Sequence, residues 1–355
     1  MKEAVLLLQI GSSARLERVL CAVHTAVPLR AAAPVTAQLC GKRLLFAVHL
    51  DAYGSDAAFC TLLRRLRAEA DCLRGCVAGI LVDGDSELYT KSAAQELALA
   101  ASMAGCTFPG KPLVEGTASL YNQHILAKQL GLSWEETYCA RAQELACLVQ
   151  TFVPPHAAHP QLLLLHASEN ARSNTLWMGR EVAKRLTDVC SVREISLRNG
   201  TIYDCRGCSY EACLHFAQNQ GCYYGGAISE EVLPAIQRCN AMLFLCPNYN
   251  DSVSANILAL FNRLTNLLVQ QNLSDKYLFG IIVSGYSGSD LVARQLLGAM
   301  CFNKTAILPP HFCMMQTAHD PGSAAHAAGI EARLTQFSKH IRAALCGTVL
   351  SGDAD

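Results

Sequence analysis

The chain has no net charge with which to attract a polyanion. Its 355 residues carry 29 Lys plus Arg against 29 Asp plus Glu, which removes the electrostatic pull toward nucleic acid or an anionic membrane surface. Charge of either sign is scarce, at 16% against 51% hydrophobic residues. That is too little for a disordered chain and ample for packed cores. No segment approaches the roughly 18 consecutive apolar residues of a membrane span. The apolar run from Ala4 to Ile10 is short, follows Glu3 and lacks a small-residue cleavage site, so it reads as a first strand and not as an export signal. These absences predict a soluble, cytoplasmic protein with neither a nucleic-acid nor a membrane partner. In that compartment the 18 cysteines are expected as reduced thiols. Cys21, Cys60, Cys106, Cys147 and Cys239 lie among apolar or helical residues and read as small core side chains.

What the chain does have is length for two domains and a clear alternation of strand and helix patterns. Three prolines between Val153 and Pro160 interrupt all apolar periodicity, placing a linker at 153–160. The expected parts are a first domain at 1–152, a second at 161–347 and a tail at 348–355. In the second domain, apolar runs at 161–165, 192–197, 241–246, 277–284 and 305–308 read as strands. Helical patterns lie near 174–187, 229–238, 253–269, 289–301 and 326–346. Strict alternation implies a parallel sheet covered on both faces, a doubly wound α/β fold with strand order 2-1-3-4-5. A ligand in such a fold sits beyond the carboxyl ends of the strands at the switch point.

The first half reads as a worn copy of the second. The run from Arg74 to Asp83 parallels Arg238 to Pro247, and Gly116 to Ser119 parallels Gly285 to Gly288. An internal duplication is the expectation, giving two flavodoxin-like domains. Asp83-Gly84-Asp85 would repel a phosphate, so the first copy is expected to hold no cofactor.

Three polar loops follow the relevant strands of the second half. The first, from His166 to Thr175, opens directly into a helix, where hydroxyls and free N–H groups suit a phosphate; Ser173 also suits a simple N-cap. The second, from Pro247 to Asn256, offers Tyr249 to a planar ring, and the third, from Ser284 to Gly288, lets backbone amides come close. Together these loops resemble those of the flavodoxin-like NADPH-dependent FMN reductase family, including its iron-sulfur flavoprotein branch. Ser168, Ser173, Asn174 and Thr175 match that family's phosphate loop, with Arg172 standing in for its arginine. Pro247 and Tyr249 match its ring loop, with Asn248 and Asn250 beside them; Ser284, Gly285 and Gly288 match its third loop, with Tyr286 among them. Ala167 and Glu169 depart from the family pattern.

Cys205, Cys208, Cys213 and Cys222 lie together in the connection between the second and third strands of this half. Four thiolates there suit a [4Fe–4S] cluster, a zinc ion, or redox-active free thiols. The resemblance implies FMN as cofactor, NAD(P)H as co-substrate, and electrons passed to a quinone, a flavin or another small acceptor. Two other readings stand beside it: an iron-sulfur flavoprotein exchanging electrons with a protein partner, and a non-catalytic module with structural zinc. Family members commonly pair their subunits, so the first half is expected to act as a built-in partner in an intrachain pseudo-dimer, with a homo-oligomer as the alternative.

Overall fold

A computed structural model describes residues 4–33, 39–168, 170–198, 200, 202–218, 221–268 and 271–347. The chain divides into two compact units, Met1–Val153 and Pro154–Asp355. The expected tail at 348–355 lies outside the described residues.

The first unit contains strands β1 (Val5–Ile10), β2 (Leu29–Ala31), β3 (Arg43–Leu50), β4 (Val77–Gly84) and β5 (Leu113–Gly116). Its helices are α1 (Ala14–Ala26), α2 (Ala57–Ala68), α3 (Thr90–Met103), α4 (His124–Leu130) and α5 (Trp134–Thr151). The strands pair in parallel in the order β2-β1-β3-β4-β5. Every residue of β4 is buried, as a strand covered on both faces must be. Helix α1 starts where Ser13 caps the Leu16 N–H, and Leu16, Val19, Leu20 and Val23 then fall on one buried face. That face joins Tyr138, Ala142, Leu145 and Val149 of α5 in one core cluster. Helix α5 is fixed at its start by a capping box between Ser133 and Glu136.

The second unit repeats the plan with β6 (Gln161–His166), β7 (Ser191–Ser196), β8 (Ala241–Pro247), β9 (Tyr277–Ser284) and β10 (Cys313–Thr317). Its helices are α6 (Asn174–Lys184), α7 (Tyr210–Gln218), α8 (Leu233–Arg238), α9 (Ala255–Arg263), α10 (Thr265–Leu268), α11 (Ser289–Leu297) and α12 (Ile330–Cys346). The sheet is all-parallel in the order β10-β9-β8-β6-β7. Numbered within the unit, this is 2-1-3-4-5, the order expected from the sequence. Both units are therefore flavodoxin-like α/β sandwiches.

Three sequence expectations need correction. The fifth strand is not 305–308 but β10. Ile307 bridges to Tyr277, exchanging bonds with Leu278 and Lys276, but Pro309 and Pro310 have no N–H to continue the ladder. His311 turns with φ 50°, and pairing resumes at Cys313 against Gly280. The duplication is also offset by one strand. The run at Arg74–Asp83 enters the fourth strand of its unit, whereas Arg238–Pro247 enters the third. Local apolar pattern alone cannot tell one buried central strand from the next. Of the five cysteines read as core residues, Cys106 and Cys239 are buried, but Cys21, Cys60 and Cys147 are exposed. They occupy outward positions of α1, α2 and α5, whose buried faces are filled by larger apolar side chains.

Candidate functional site

The site begins at the last residue of β6. His166 is 2% exposed, and its Nδ1 accepts the Ser168 N–H at 3.2 Å. Its proton therefore sits on Nε2, 3.3 Å from the Glu194 carboxylate. Burial holds this imidazole below its usual pKa despite the pull of Glu194. The Glu194 carboxyl is itself held low by Arg180, which donates to it at 3.0 and 2.7 Å. The neutral ring thus fixes the start of the loop that leads to α6.

At the end of that loop three hydroxyls form a triangle. Ser168 Oγ lies 3.0 Å from Ser173 Oγ and 3.5 Å from Thr175 Oγ1, and Ser173 lies 3.0 Å from Thr175. Ser173 is also the N-cap, accepting from the Leu176 N–H. The cap and the ligand readings of this residue are therefore compatible, because its oxygen serves the helix while its proton can turn to an anion. Three rotatable O–H donors at the positive end of a helix suit a phosphate.

Asn174 and Arg172 have a different task. Asn174 Nδ2 donates to Asp320 O at 2.9 Å, and its Oδ1 accepts from the Ala324 N–H at 3.1 Å. Arg172 donates to Pro321 O at 3.0 Å. Both side chains staple the loop after β10 to the start of α6, a loop absent from the sequence expectation because the fifth strand was placed too early. The signal available in the sequence was the rule that ligands gather at strand carboxyl ends, applied to Thr317 instead of Leu308.

The loops after β8 and β9 are tied to each other by Asn248. Its Nδ2 reaches Asp251 Oδ1 at 3.2 Å, Ser284 Oγ at 3.1 Å and Ser287 O at 3.0 Å. Asn250 and Asp251 turn the chain with φ 53° and 58°, and Tyr249 and Ser252 exchange backbone bonds across the turn. The turn leaves the Tyr249 ring 61% exposed. Gly288, at φ +83°, starts α11; a Cβ there would lie 2.2 Å from Asp251 Oδ1, so only glycine fits.

These loops enclose a cavity of about 620 Å³, a size typical of a cofactor site. It is lined by Ala167, Ser168, Asn170 and Arg172 to Thr175 from the first loop, and by Pro247, Asn248, Tyr249 and Ser254 to Asn256 from the second. Val283 and Gly285 line it from the third, and Ala318, His319 and Pro321 from the loop after β10. The described lining contains no carboxylate. Among the described residues, Asn250, Ser284, Tyr286 and Gly288 do not line it. Asn250 and Gly288 shape turns, Ser284 is buried and bonded to Asn248 and Ser289, and Tyr286 leans on His319 at 4.9 Å between ring centroids.

The cysteine connection is organised by α9, not by the thiols. Buried Arg263 donates to Tyr203 O, Gly225 O and Ser229 Oγ, and Asn262 donates to Asp204. Cys205 and Cys208 are exposed, Cys213 lies on α7, and Cys222 is half-buried. Burial, then the neighbouring Cys222, Cys205 and Cys208, push the Cys213 thiol up. Among the described residues no group of three or more His, Cys, Asp or Glu is arranged to hold a metal ion. In this structure the backbone of the connection is anchored through Arg263 and Asn262, while the Cys205 and Cys208 thiols face solvent.

A parallel sheet in this order, with a hydroxyl-lined cavity at its switch point, is the architecture of a flavodoxin-like α/β domain. Residues 160–320 match the family model of the NADPH-dependent FMN reductases, a span that holds every residue lining the cavity except Pro321. No curated protein matches the chain. Among solved structures, the chain is similar to RosB with a bound 8-demethyl-8-formylriboflavin-5'-phosphate intermediate, at 11% identity, covering 52% of this chain and 78% of that one, with a TM-score of 0.42. It is also similar to an NAD(P)H:quinone oxidoreductase from Methanothermobacter marburgensis, at 16% identity over 52% of this chain and 97% of that one, TM-score 0.40. A third is an NADH:FMN oxidoreductase in its apo form, at 13% identity over 53% and 91%, TM-score 0.37.

Proposed function

We propose that the second unit binds FMN in this cavity and that the protein is an NAD(P)H-dependent flavin oxidoreductase delivering electrons to a small acceptor such as a quinone or a free flavin. The observation that carries this reading is the hydroxyl triangle of Ser168, Ser173 and Thr175 at the start of α6, inside a cavity whose described lining has no carboxylate. That donor set fits a phosphate monoester. In this assignment the triangle holds the phosphate, Gly285 admits the ring edge to the backbone, and Tyr249 covers a ring face from the loop after β8. FMN supplies the hydride-accepting ring when bound. The protein positions it, and the exposed Tyr249 ring is free to stack on a planar molecule.

The first half contributes no flavin site to this reading. Among the described residues no helix is long and apolar enough to cross a membrane. The test is turnover: FMN-loaded protein should oxidise NADH or NADPH in the presence of a quinone or free flavin. Absence of oxidation with both nucleotides, in protein shown to hold FMN, would defeat the proposal.

A further inference from the structure

The first unit has the same strand order as the second, yet its corresponding crevice contains a buried ion pair. The pairing registers show where it sits. The last residue of β1, Ile10, faces Val48, as the last residue of β6, His166, faces Leu245. One step further along the third strands stand His49 and Cys246. Their partners on the fourth strands are Asp83 and Ile282. In the second unit this row is apolar and buried, and the cavity opens just beyond it. In the first unit it carries an acid that is 1% exposed.

That carboxylate accepts from two donors, with an imidazole nearby that does not hydrogen-bond to it. Arg15 Nε donates to Asp83 Oδ1 at 2.6 Å, and the Ser13 hydroxyl donates to Oδ2 at 2.7 Å. His49 Nδ1 stands 3.5 Å from Oδ2. Ser13 is the N-cap of α1, as Ser173 is of α6, so the hydroxyl corresponding to a corner of the phosphate triangle is here spent on an internal anion. The same guanidinium donates to Gly84 O and Ala118 O, each at 3.0 Å. Arg15 thus ties the end of β4 and the loop after β5 to the start of α1. The first unit also has the shorter first loop, Gly11 to Ser13 against Ala167 to Ser173, which brings the cap within reach of Asp83.

We propose that Asp83 is a resident surrogate anion: the first unit keeps the cation, hydroxyl and helix start of a ligand crevice, and closes it with its own carboxylate. The acid anticipated as a repellent of phosphate is instead the group that fills the anion position. Arg15 is half-buried and Asp83 fully so; a buried charge left without its partner is destabilising, so the two depend on each other. The ligand class that can replace the side chain is a small carboxylate.

The test uses the full chain and involves no flavin. Asp83→Ala should lower the thermal midpoint by about 10 °C. Sodium formate or acetate should recover at least half of that loss, while sodium chloride at equal ionic strength should not, and wild type should respond to the salts alike. Inorganic phosphate, larger and more highly charged, should recover less than formate. An unchanged midpoint in the variant, or recovery by chloride equal to that by formate, would overturn the proposal. If Asp83→Ala does not give folded protein, Arg15→Gln, Asp83→Asn and the double variant replace it. The double variant should then melt closer to wild type than the sum of the two single losses, and strict additivity would overturn the proposal.

Discussion

Ser173 and Asn174 are neighbours in sequence and read alike as phosphate contacts, yet they divide into two roles. The hydroxyl faces the triangle with Ser168 and Thr175, and the amide is bound at both ends by the loop after β10. Side-chain chemistry was legible in the sequence, but the identity of the partner was not, because that partner is about 150 residues away. His166 was missed for a related reason: a histidine ending an apolar strand gives no hint that it will accept from Ser168 and donate toward Glu194. Its role has a pH signature. Burial keeps its folded pKa below the ordinary 6.5, so as pH falls below that value the unfolded chain takes up a proton that the folded chain refuses. Stability contributed by this residue is complete above that value and is lost as pH falls toward the folded pKa. The carboxyl of Glu194, held low by Arg180, gives way only below its own ordinary value of 4.5. Apo-protein melted at a series of pH values should therefore lose stability between 6.5 and 4.5, and His166→Gln should flatten that stretch of the curve. An equally steep decline in the variant would remove His166 from this account.

At the scale of elements, the three central strands of the second unit, β6, β8 and β9, were legible because a parallel strand buried on both faces is a nearly continuous apolar run. The fifth was misplaced because an apolar run at 305–308 ends at two prolines, and the true pairing segment lies beyond them and contains Gln316. That one displacement hid a wall of the cavity, Ala318, His319 and Pro321. Gly288 was expected in the third loop as a close approach to ligand; it is needed instead to start α11 beside Asp251. Gly288→Ala should therefore destabilise the protein by about 2 kcal/mol, from a left-handed backbone and a forced shift of Asp251. Gly285→Ala faces only a 3.2 Å approach to His319 and should cost less in denaturant unfolding. A reversal of that order would mean that the turn at Asp251 is not rigid.

On the scale of the whole molecule, two units of identical strand order have taken different courses at the same place. One leaves an open cavity lined by hydroxyls, and the other has a carboxylate held by Arg15. The duplication was visible in the sequence as repeated strand and helix patterns, but its correct offset was not, since β2 is only Leu29–Ala31 and leaves no apolar run to count. The central claim is that FMN binds through its phosphate, in the second unit alone. Titration of FMN into the full chain, repeated with Ser168→Ala/Thr175→Val, tests it directly. Charge-assisted contacts to a phosphate are worth about 1.5–3 kcal/mol each, so the variant should bind FMN more than tenfold more weakly, with little change for riboflavin, which lacks the phosphate. The wild type should saturate at one FMN per chain. Two FMN per chain, or an affinity for FMN unchanged by the double substitution, would contradict the account.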